Sequence, residues 1–328
     1  MMYYIPSSST DPCWNLALEQ YVFDSLDPAH SYFMLWQNHN AIIVGKYQNT
    51  LGEINAAYVK ERDITVVRRL SGGGAVYHDM GNLNFTFIVD GSGGLDFAAF
   101  CQPVVAALAS LGVTAEISGR NDMTIDGKKF SGNAQYRKQG RVMHHGTLLY
   151  DSDLTVVAGA LNVTQDKMES KGIKSVRSRV TNIRPYVKDD LPLPAFRDAL
   201  RDYMAKENGM QPYTLTADDL AAVQKLRDQV YSQWSWNYGA SPAFTLRKER
   251  RVEGCGKLEI YLEATGGVIQ DAAFRGDFFS TIDPSHLAGL LKGCPLAEPD
   301  LRKALSGQDV SLYFNNLDLD SFLSILLQ

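Results

Sequence analysis

The chain has 328 residues, 45% of them hydrophobic and 21% charged, with a formal net charge of -5. That length and apolar content suffice for two domains, or one large domain with an appendage, and exclude a disordered chain. Its acidic balance excludes a global basic field for sequence-independent nucleic-acid binding, so any polyanion site has to be local. Cys13, Cys101, Cys255 and Cys294 lie far apart with no C-x-x-C pair, which argues against a zinc ribbon or a disulfide framework and points to a reducing compartment. The N-terminal MMYYIPSSSTDP has neither a basic n-region nor an apolar h-region, and no stretch approaches the roughly 20 apolar residues of a membrane span, so a cytoplasmic protein is expected.

Asp11-Pro12 supplies an N-cap with proline at the first helical position, and Trp14, Ala17, Leu18, Tyr21 and Val22 recur at three- and four-residue spacing, which predicts an amphipathic helix. Runs 32–36 and 41–45, split by the polar Gln37-Asn38-His39-Asn40, read as a strand pair; a short helix is expected over about 55–61. Strand-like runs recur at 64–68, 85–89, 113–117, 123–125, 129–135 and 143–150. Most connections between them are too short for a helical crossover, so a mixed or largely antiparallel sheet is expected. Asp126-Gly127 is a two-residue hairpin signal. Between the strands, Phe97, Phe100, Val104, Val105, Leu108 and Leu111 trace a helical stripe, with Pro103 inside it predicting a kink or a later helix start. Helical patterns follow near 154–161, 193–206 and 217–234, after which 237–242 breaks all periodicity and marks a linker, placed at about 238–246. Beyond it, a hairpin over 257–263 and 268–274 precedes helices near 284–292, 299–305 and 319–327, a small α+β unit.

Four segments suggest chemistry. The first is Arg68-Arg69-Leu70-Ser71-Gly72-Gly73-Gly74-Ala75-Val76-Tyr77-His78-Asp79, where three consecutive glycines suit close approach to a ligand and the arginines offer forked donors for phosphate oxygens. A flexible turn between surface arginines has the same composition. No lysine follows at Walker spacing, and Tyr77 stands where a dinucleotide fingerprint needs its third glycine. The second is Gly119-Arg120-Asn121-Asp122, followed after the hairpin by Lys128-Lys129-Phe130-Ser131-Gly132. Neighbours on a strand face opposite ways, so only one of the two lysines can enter a cavity, where it would sit between a carboxylate and a phosphate. Asp122 suits a base, a ribose or Mg²⁺, although a hairpin with polar tips explains the segment equally well. The third is Met143-His144-His145-Gly146-Thr147, whose histidines diverge on a strand; one inward and one outward fits better than a metal pair. The fourth, 167–188, holds seven cations and one acid, so this acidic chain carries a local basic patch that is either a solvated loop or a clamp for phosphates.

Together these segments resemble the lipoate-protein ligase A family. Arg68 to Asp79 resembles its R-R-x-S-G-G-G-A-V-[FY]-H-D, Gly119 to Asp122 its G-R-N-D, Lys129 to Gly132 its K-[VF]-S-G, and His144 to Leu149 its H-H-G-T-L-L. Gly172 to Asn182 is similar to G-I-x-S-V-R-S-R-V-T-N, and Trp236 to Gly239 to the W-N-[FY]-G that ends the large domain. The resemblance spans about residues 11 to 244. It implies an α+β protein: a mixed-sheet catalytic domain over 1–240, like that of biotin ligases and related to class II synthetases, with a C-terminal accessory domain over 247–328. The implied reaction joins lipoate and ATP into lipoyl-AMP, then moves the acyl group to a lysine of a lipoyl domain, on 2-oxoacid dehydrogenase E2 subunits or the glycine cleavage H protein. By matching position, Arg69, Gly74, Ala75, Val76, Tyr77 and Lys129 are expected at ATP, and Lys129 also at the lipoate carboxylate as the principal catalytic residue. Gly73, His78, Asn121, Asp122, His145, Arg177 and Arg179 are further candidates, Asp122 also for Mg²⁺. An ATP-independent octanoyl or lipoyl transferase would need a cysteine nucleophile, and only Cys13 lies near a family motif; a lipoate-binding module without catalysis is the other alternative.

Overall fold

A computed structural model describes the chain apart from residues 49, 92–96, 120, 162–179, 239–245, 266 and 328. Its largest element is an eight-stranded sheet in the order β11-β1-β2-β6-β10-β9-β8-β7, built from Gln211–Pro212, Met2–Pro6, Ser31–Trp36, Asn82–Asp90, Arg141–Leu149, Lys128–Lys138, Asp122–Ile125 and Glu116–Ser118. β1 pairs in parallel with both neighbours and the rest of the sheet is antiparallel, the mixed sheet expected from the short connections. Asp126 and Gly127 take φ of 52° and 71°, the left-handed pair that a tight two-residue hairpin needs.

Both faces of the sheet are covered, which is why β2 reads as an unbroken apolar run. Phe33 and Leu35 join Phe85, Phe87 and the helices Phe97–Ser110 and Leu193–Asn208 in one core. Tyr32, Met34 and Trp36 point the other way, into a core with the helix Pro12–Ser25, whose Asp11 cap accepts the Cys13 N–H at 2.9 Å. The helix Phe97–Ser110 starts before Pro103 and runs through it.

The expected pairing of 32–36 with 41–45 is overturned. Asn15 Nδ2 donates to the Gln37 carbonyl at 2.8 Å and to Asn38 Oδ1 at 3.0 Å, and Asn40 turns the chain at a φ of 43°. Ala41–Val44 (β3) then leaves the large sheet and becomes the centre of a small one, parallel to Thr65–Arg68 (β4) and antiparallel to Val76–His78 (β5). β5 is three residues long and gave no periodicity to detect. The helix expected over 217–234 is broken too: Ala217–Leu226 widens into a π turn at Arg227–Tyr231 before Trp234–Asn237.

The C-terminal sheet has three strands, not a hairpin alone: Leu246–Val252 (β12), Gly256–Thr265 (β13) and Val268–Gly276 (β14). β12 reads LRKERRV, charges that suit an edge strand but hide it from an apolar pattern. Helices Ser285–Leu291, Glu298–Ala304 and Leu319–Leu326 close its core, which Tyr47 enters by stacking on Phe278 at 4.7 Å. The expected linker centre lies outside the described residues. Among the described residues, no helix is long and apolar enough to cross a membrane.

Candidate active site

A cavity of about 120 Å³ lies against the large sheet beneath the glycine loop, lined by Arg69, Gly73, Gly74, Ala75, Val76, His78, Asn121, Lys129 and His145 among the expected residues. The loop leaves β4 through two arginines with different duties. Arg68 is a buried staple: its Nη1 donates to the carbonyls of Gly45 (2.8 Å), Lys46 (3.1 Å) and Gln48 (2.8 Å), its Nε to Trp236 O (3.0 Å) and its Nη2 to Thr50 Oγ1 (2.6 Å). Arg69 turns into the loop, with Nε to Ser71 Oγ at 3.0 Å, Nη1 to Ile43 O at 3.1 Å and Nη2 to Gly72 O and Gly74 O at 2.7 and 2.9 Å. Three of its five N–H groups thus hold the loop's shape and a fourth ties the loop to β3. Burial pulls its pKa down to about 10, with Glu19 opposing and Arg68 adding to the shift, so it stays cationic at neutral pH. Tyr77 is the expected residue whose side chain lies elsewhere: alternation on β5 sends Val76 and His78 to the cavity and Tyr77 to the opposite core, its hydroxyl on Asn40 Oδ1 at 3.0 Å. Only its backbone is placed with the loop.

The lysine pair divides as strand geometry requires. Lys128, paired with Ile125, is exposed, whereas Lys129 lines the cavity and its Nζ lies 2.7 Å from Asp122 Oδ1. A bulge between Met123 and Thr124 shifts the register, setting Thr124 opposite Lys129 and Asp122 opposite Gly132. Gly132 gives the lysine its room, since a Cβ there would meet Nζ at 3.0 Å. Asn121 and Asn133 bond reciprocally, Asn121 Nδ2 to Asn133 O at 2.7 Å and Asn133 Nδ2 to Asn121 O at 3.1 Å, fixing the wall beside it. Arg177 and Arg179 lie outside the described residues. The segment that follows them returns to this point: Val180 bridges Lys129, and Thr181 N donates to the Lys129 carbonyl at 2.9 Å.

Both adjacent histidines are buried, on opposite faces of the sheet. His144 stacks on Phe100 at 4.7 Å and bonds to Gln135 and Asn133, so the outward histidine faces a second core and not solvent. His145 faces the cavity in a buried chain: Ser71 Oγ at 2.6 Å from Nε2, Glu19 Oε1 at 3.0 Å from Nδ1, and Thr86 Oγ1 between Glu19 (2.5 Å) and Trp36 Nε1 (2.9 Å). His78 touches Asn38 through Nδ1 at 3.1 Å, and its buried Nε2 has no hydrogen-bond partner among the described residues. Burial, with Arg69 and His145 adding, lowers its pKa to about 3, and burial drives His144 well below its ordinary value. Neutral His78 therefore presents Nε2 in the cavity wall without a charge.

Residue-by-residue reading missed Glu19, Trp36, Asn84, Asn133, Thr147 and Phe279. A signal existed for two: Glu19 sits on the apolar stripe of the first helix, and Asn84 alternates with Leu83 and Phe85 in an otherwise apolar strand. No signal marked Phe279, which arrives from the C-terminal sheet. Cys13 is buried away from the cavity, its Sγ 3.3 Å from Tyr231 O, and burial followed by Asp11 pushes its thiol up to about 11, leaving almost no thiolate at neutral pH. None of the four cysteines is joined in a disulfide.

The family model for the lipoyl protein ligase A/B catalytic domain matches residues 11–205, and that for the bacterial lipoate protein ligase C-terminus matches residues 241–326. The lipoate-protein ligase LplJ of Bacillus subtilis is 43% identical over 331 residues, covering 99% of this chain and 100% of that protein. Among solved structures, P. falciparum LipL1 in complex with lipoate shares the fold over the whole of both chains at a TM-score of 0.84 and 24% identity. A lipoate-protein ligase A bound with ATP aligns at a TM-score of 0.63 and 25% identity, over 73% of this chain and 98% of that one. The bipartite lipoate protein ligase of Thermoplasma acidophilum, studied with its E2 lipoyl domain, aligns at 0.65 and 27%, over 74% and 98%. Two family models that together cover most of the sequence, and a relative similar along its full length, agree with the geometry of the glycine loop and the cavity lysine: this chain belongs to the lipoate-protein ligase family.

Proposed function

We propose that this enzyme condenses lipoate with ATP in the cavity and passes the lipoyl group to a lysine of a lipoyl-domain protein. The observation that carries the reading is Lys129, a cation lining the same cavity as Gly73, Gly74, Ala75 and Val76. In this assignment Lys129 Nζ receives the lipoate carboxylate and the α-phosphate, and the backbone of Gly73 to Tyr77 follows the nucleotide. Arg69 keeps the loop in shape and directs its remaining N–H to the ligand. His78 Nε2, Asn121 and His145 supply further polar wall, and Asp122 orients the lysine.

Lipoate is already ionised at neutral pH, so its oxygen attacks the α-phosphorus without a general base; a C–O–P linkage forms and pyrophosphate leaves. The acceptor lysine, after losing a proton, then attacks the acyl carbon and AMP leaves. Positive charge and positioning are what the first step needs, and Lys129 and Arg69 provide them. The adenylate is prone to hydrolysis, so excluding water from the cavity is the other requirement of this step. Among the described residues no group of three His, Cys, Asp or Glu forms a metal site, and Asp122 is engaged with Lys129. Mg²⁺ is proposed as the companion of the triphosphate, where it would supply charge to the first step.

We assign residues 1–240 to the catalytic unit and 247–328 to the accessory unit. Acceptors of the E2 type are favoured by the archaeal ligase studied with its E2 lipoyl domain, and the glycine cleavage H protein is proposed beside them. Four cysteines outside any disulfide and the use of ATP support a cytoplasmic location. A thioester route is disfavoured by the buried, high-pKa Cys13.

Mass spectrometry of an E2 lipoyl domain, after incubation with the enzyme, lipoate, ATP and Mg²⁺, tests the reading. One lipoyl group should be added per domain, only with ATP. Acyl transfer from a carrier protein at full rate without nucleotide would overturn it.

A further inference from the structure

The glycine loop is gripped from the C-terminal side. Gly73 N donates to the Phe278 carbonyl at 3.1 Å, and a Cβ on Gly72 would lie 2.3 Å from that oxygen. Gly73 has a φ of +91°, and a Cβ there would meet the Phe279 ring at 3.0 Å; on Gly74 the nearest atom would be 3.9 Å away. The first two glycines thus make room for the segment after β14, and the third faces the cavity. That segment is anchored by Gly276 N to Tyr47 O at 2.6 Å, by the Tyr47–Phe278 stack, and by Lys46 Nζ to Asp283 Oδ2 at 2.8 Å. The Phe279 ring ends up only 2% exposed, its centroid 5.4 Å from that of Phe97, in an apolar cluster with Phe97 and Ala134.

Ala134 matters because of its place on β9. Lys129 Nζ lies over Gly132, and Ala134 is the next cavity-lining residue on that face, two residues or about 6.6 Å along the strand. An acyl chain running along β9 from a carboxylate on Nζ would pass Ala134 within its first several carbons, and Phe279 packs with Ala134 in the cavity wall there. We propose that Phe279 is a specificity-determining residue, through which the C-terminal unit sets how broad an acyl chain the cavity admits. This rests on the reading of Lys129 as the carboxylate anchor.

The test compares kcat/KM for acyl-adenylate formation, read as pyrophosphate release, with octanoate, lipoate and a carboxylic acid of similar length ending in a phenyl ring. Phe279→Ala should raise the phenyl-to-octanoate ratio at least tenfold. Phe279→Trp should lower the lipoate-to-octanoate ratio by about tenfold, and Phe279→Leu should fall between the parent and Phe279→Ala. Thermal melting checks each variant's fold, and if Phe279→Ala does not fold, the Trp and Leu variants carry the test. A uniform loss with all three acids, ratios staying within twofold, would make the ring a plain anchor and overturn the inference; so would ratios and rates that do not move. If the parent enzyme forms no adenylate from any acid, the ligase reading itself fails, an outcome distinct from the others.

Discussion

At Lys128 and Lys129 a single peptide bond separates a surface charge from a site charge. The sequence predicts that strand alternation admits one of them, and the bulge in β8–β9 turns Lys129 to Asp122 and the cavity. Charge stabilisation in a closed site is worth about 2.7 to 4 kcal/mol per lost donor. Lys129→Met should therefore slow lipoyl-AMP formation by roughly 10² to 10³, while Lys128→Met changes it by less than about threefold. Pyrophosphate release by the two purified variants decides this; a larger defect in Lys128→Met would reverse the assignment. Arg69 shows what residue-level reading misses. Its type suggested a phosphate contact, but four of its donors are on protein oxygens, two of them loop carbonyls, one the Ser71 hydroxyl and one the Ile43 carbonyl of β3, because a buried arginine has to satisfy its N–H groups wherever acceptors are nearest.

The glycine loop, as an element, answers to two neighbours at once. Since a Cβ at residue 72 would strike a backbone oxygen at 2.3 Å and one at residue 74 would make only an ordinary contact at 3.9 Å, Gly72→Ala should destabilise by about 1 to 3 kcal/mol and Gly74→Ala by less than about 0.5. Denaturant unfolding of the two variants measures the difference, and equal midpoints would show that the C-terminal segment yields freely. Among elements, those legible in the sequence were the ones with their own periodicity and caps, such as the helix from Pro12 to Ser25 and the hairpin at Asp126-Gly127. Strand β5 and edge strand β12 were not, since one is too short to show a period and the other exposes charge where a central strand would bury apolar groups. The assignment of 41–44 to a separate sheet rests on Asn15, an acceptor-seeking amide from a distant helix, which no local window contains.

For the whole molecule, two buried neutral histidines tie stability to pH. His78 has its pKa lowered to about 3 and His144 is held well below the usual value, so the unfolded chain takes up a proton at each near pH 6.5 while the folded chain does not. Stability is then full above about pH 6.5 and falls below it, by about 1.4 kcal/mol per pH unit from His78 as pH drops toward 3, with His144 acting in the same direction. Urea unfolding at pH 7, 6 and 5 should follow that slope, and His78→Gln should make it shallower; an unchanged slope would mean that His78 is not held neutral. The contact between the C-terminal sheet and the glycine loop couples the two units, so activation of lipoate is expected to depend on the whole chain. A chain ending at residue 240 loses Phe278 and Phe279 from the loop. It should still transfer from supplied lipoyl-AMP while forming it at least tenfold more slowly, a split that paired half-reaction assays resolve. Full-rate adenylate formation by the truncated chain would assign the C-terminal unit another task.

By itself the sequence determined the chemistry of the parts: a glycine triplet after two arginines, one inward lysine per strand face, diverging histidines, and caps and turns that act over a few residues. These follow from local stereochemistry, which a chain carries wherever it goes. Only the tertiary structure decided which parts meet. Glu19, Ser71 and His145 come from a helix, a loop and a strand, and Phe279 reaches the cavity only because two sheets pack through Tyr47 and Phe278. Such meetings are set by burial of apolar area, which is non-directional and summed over the whole core, so no short stretch of sequence encodes them.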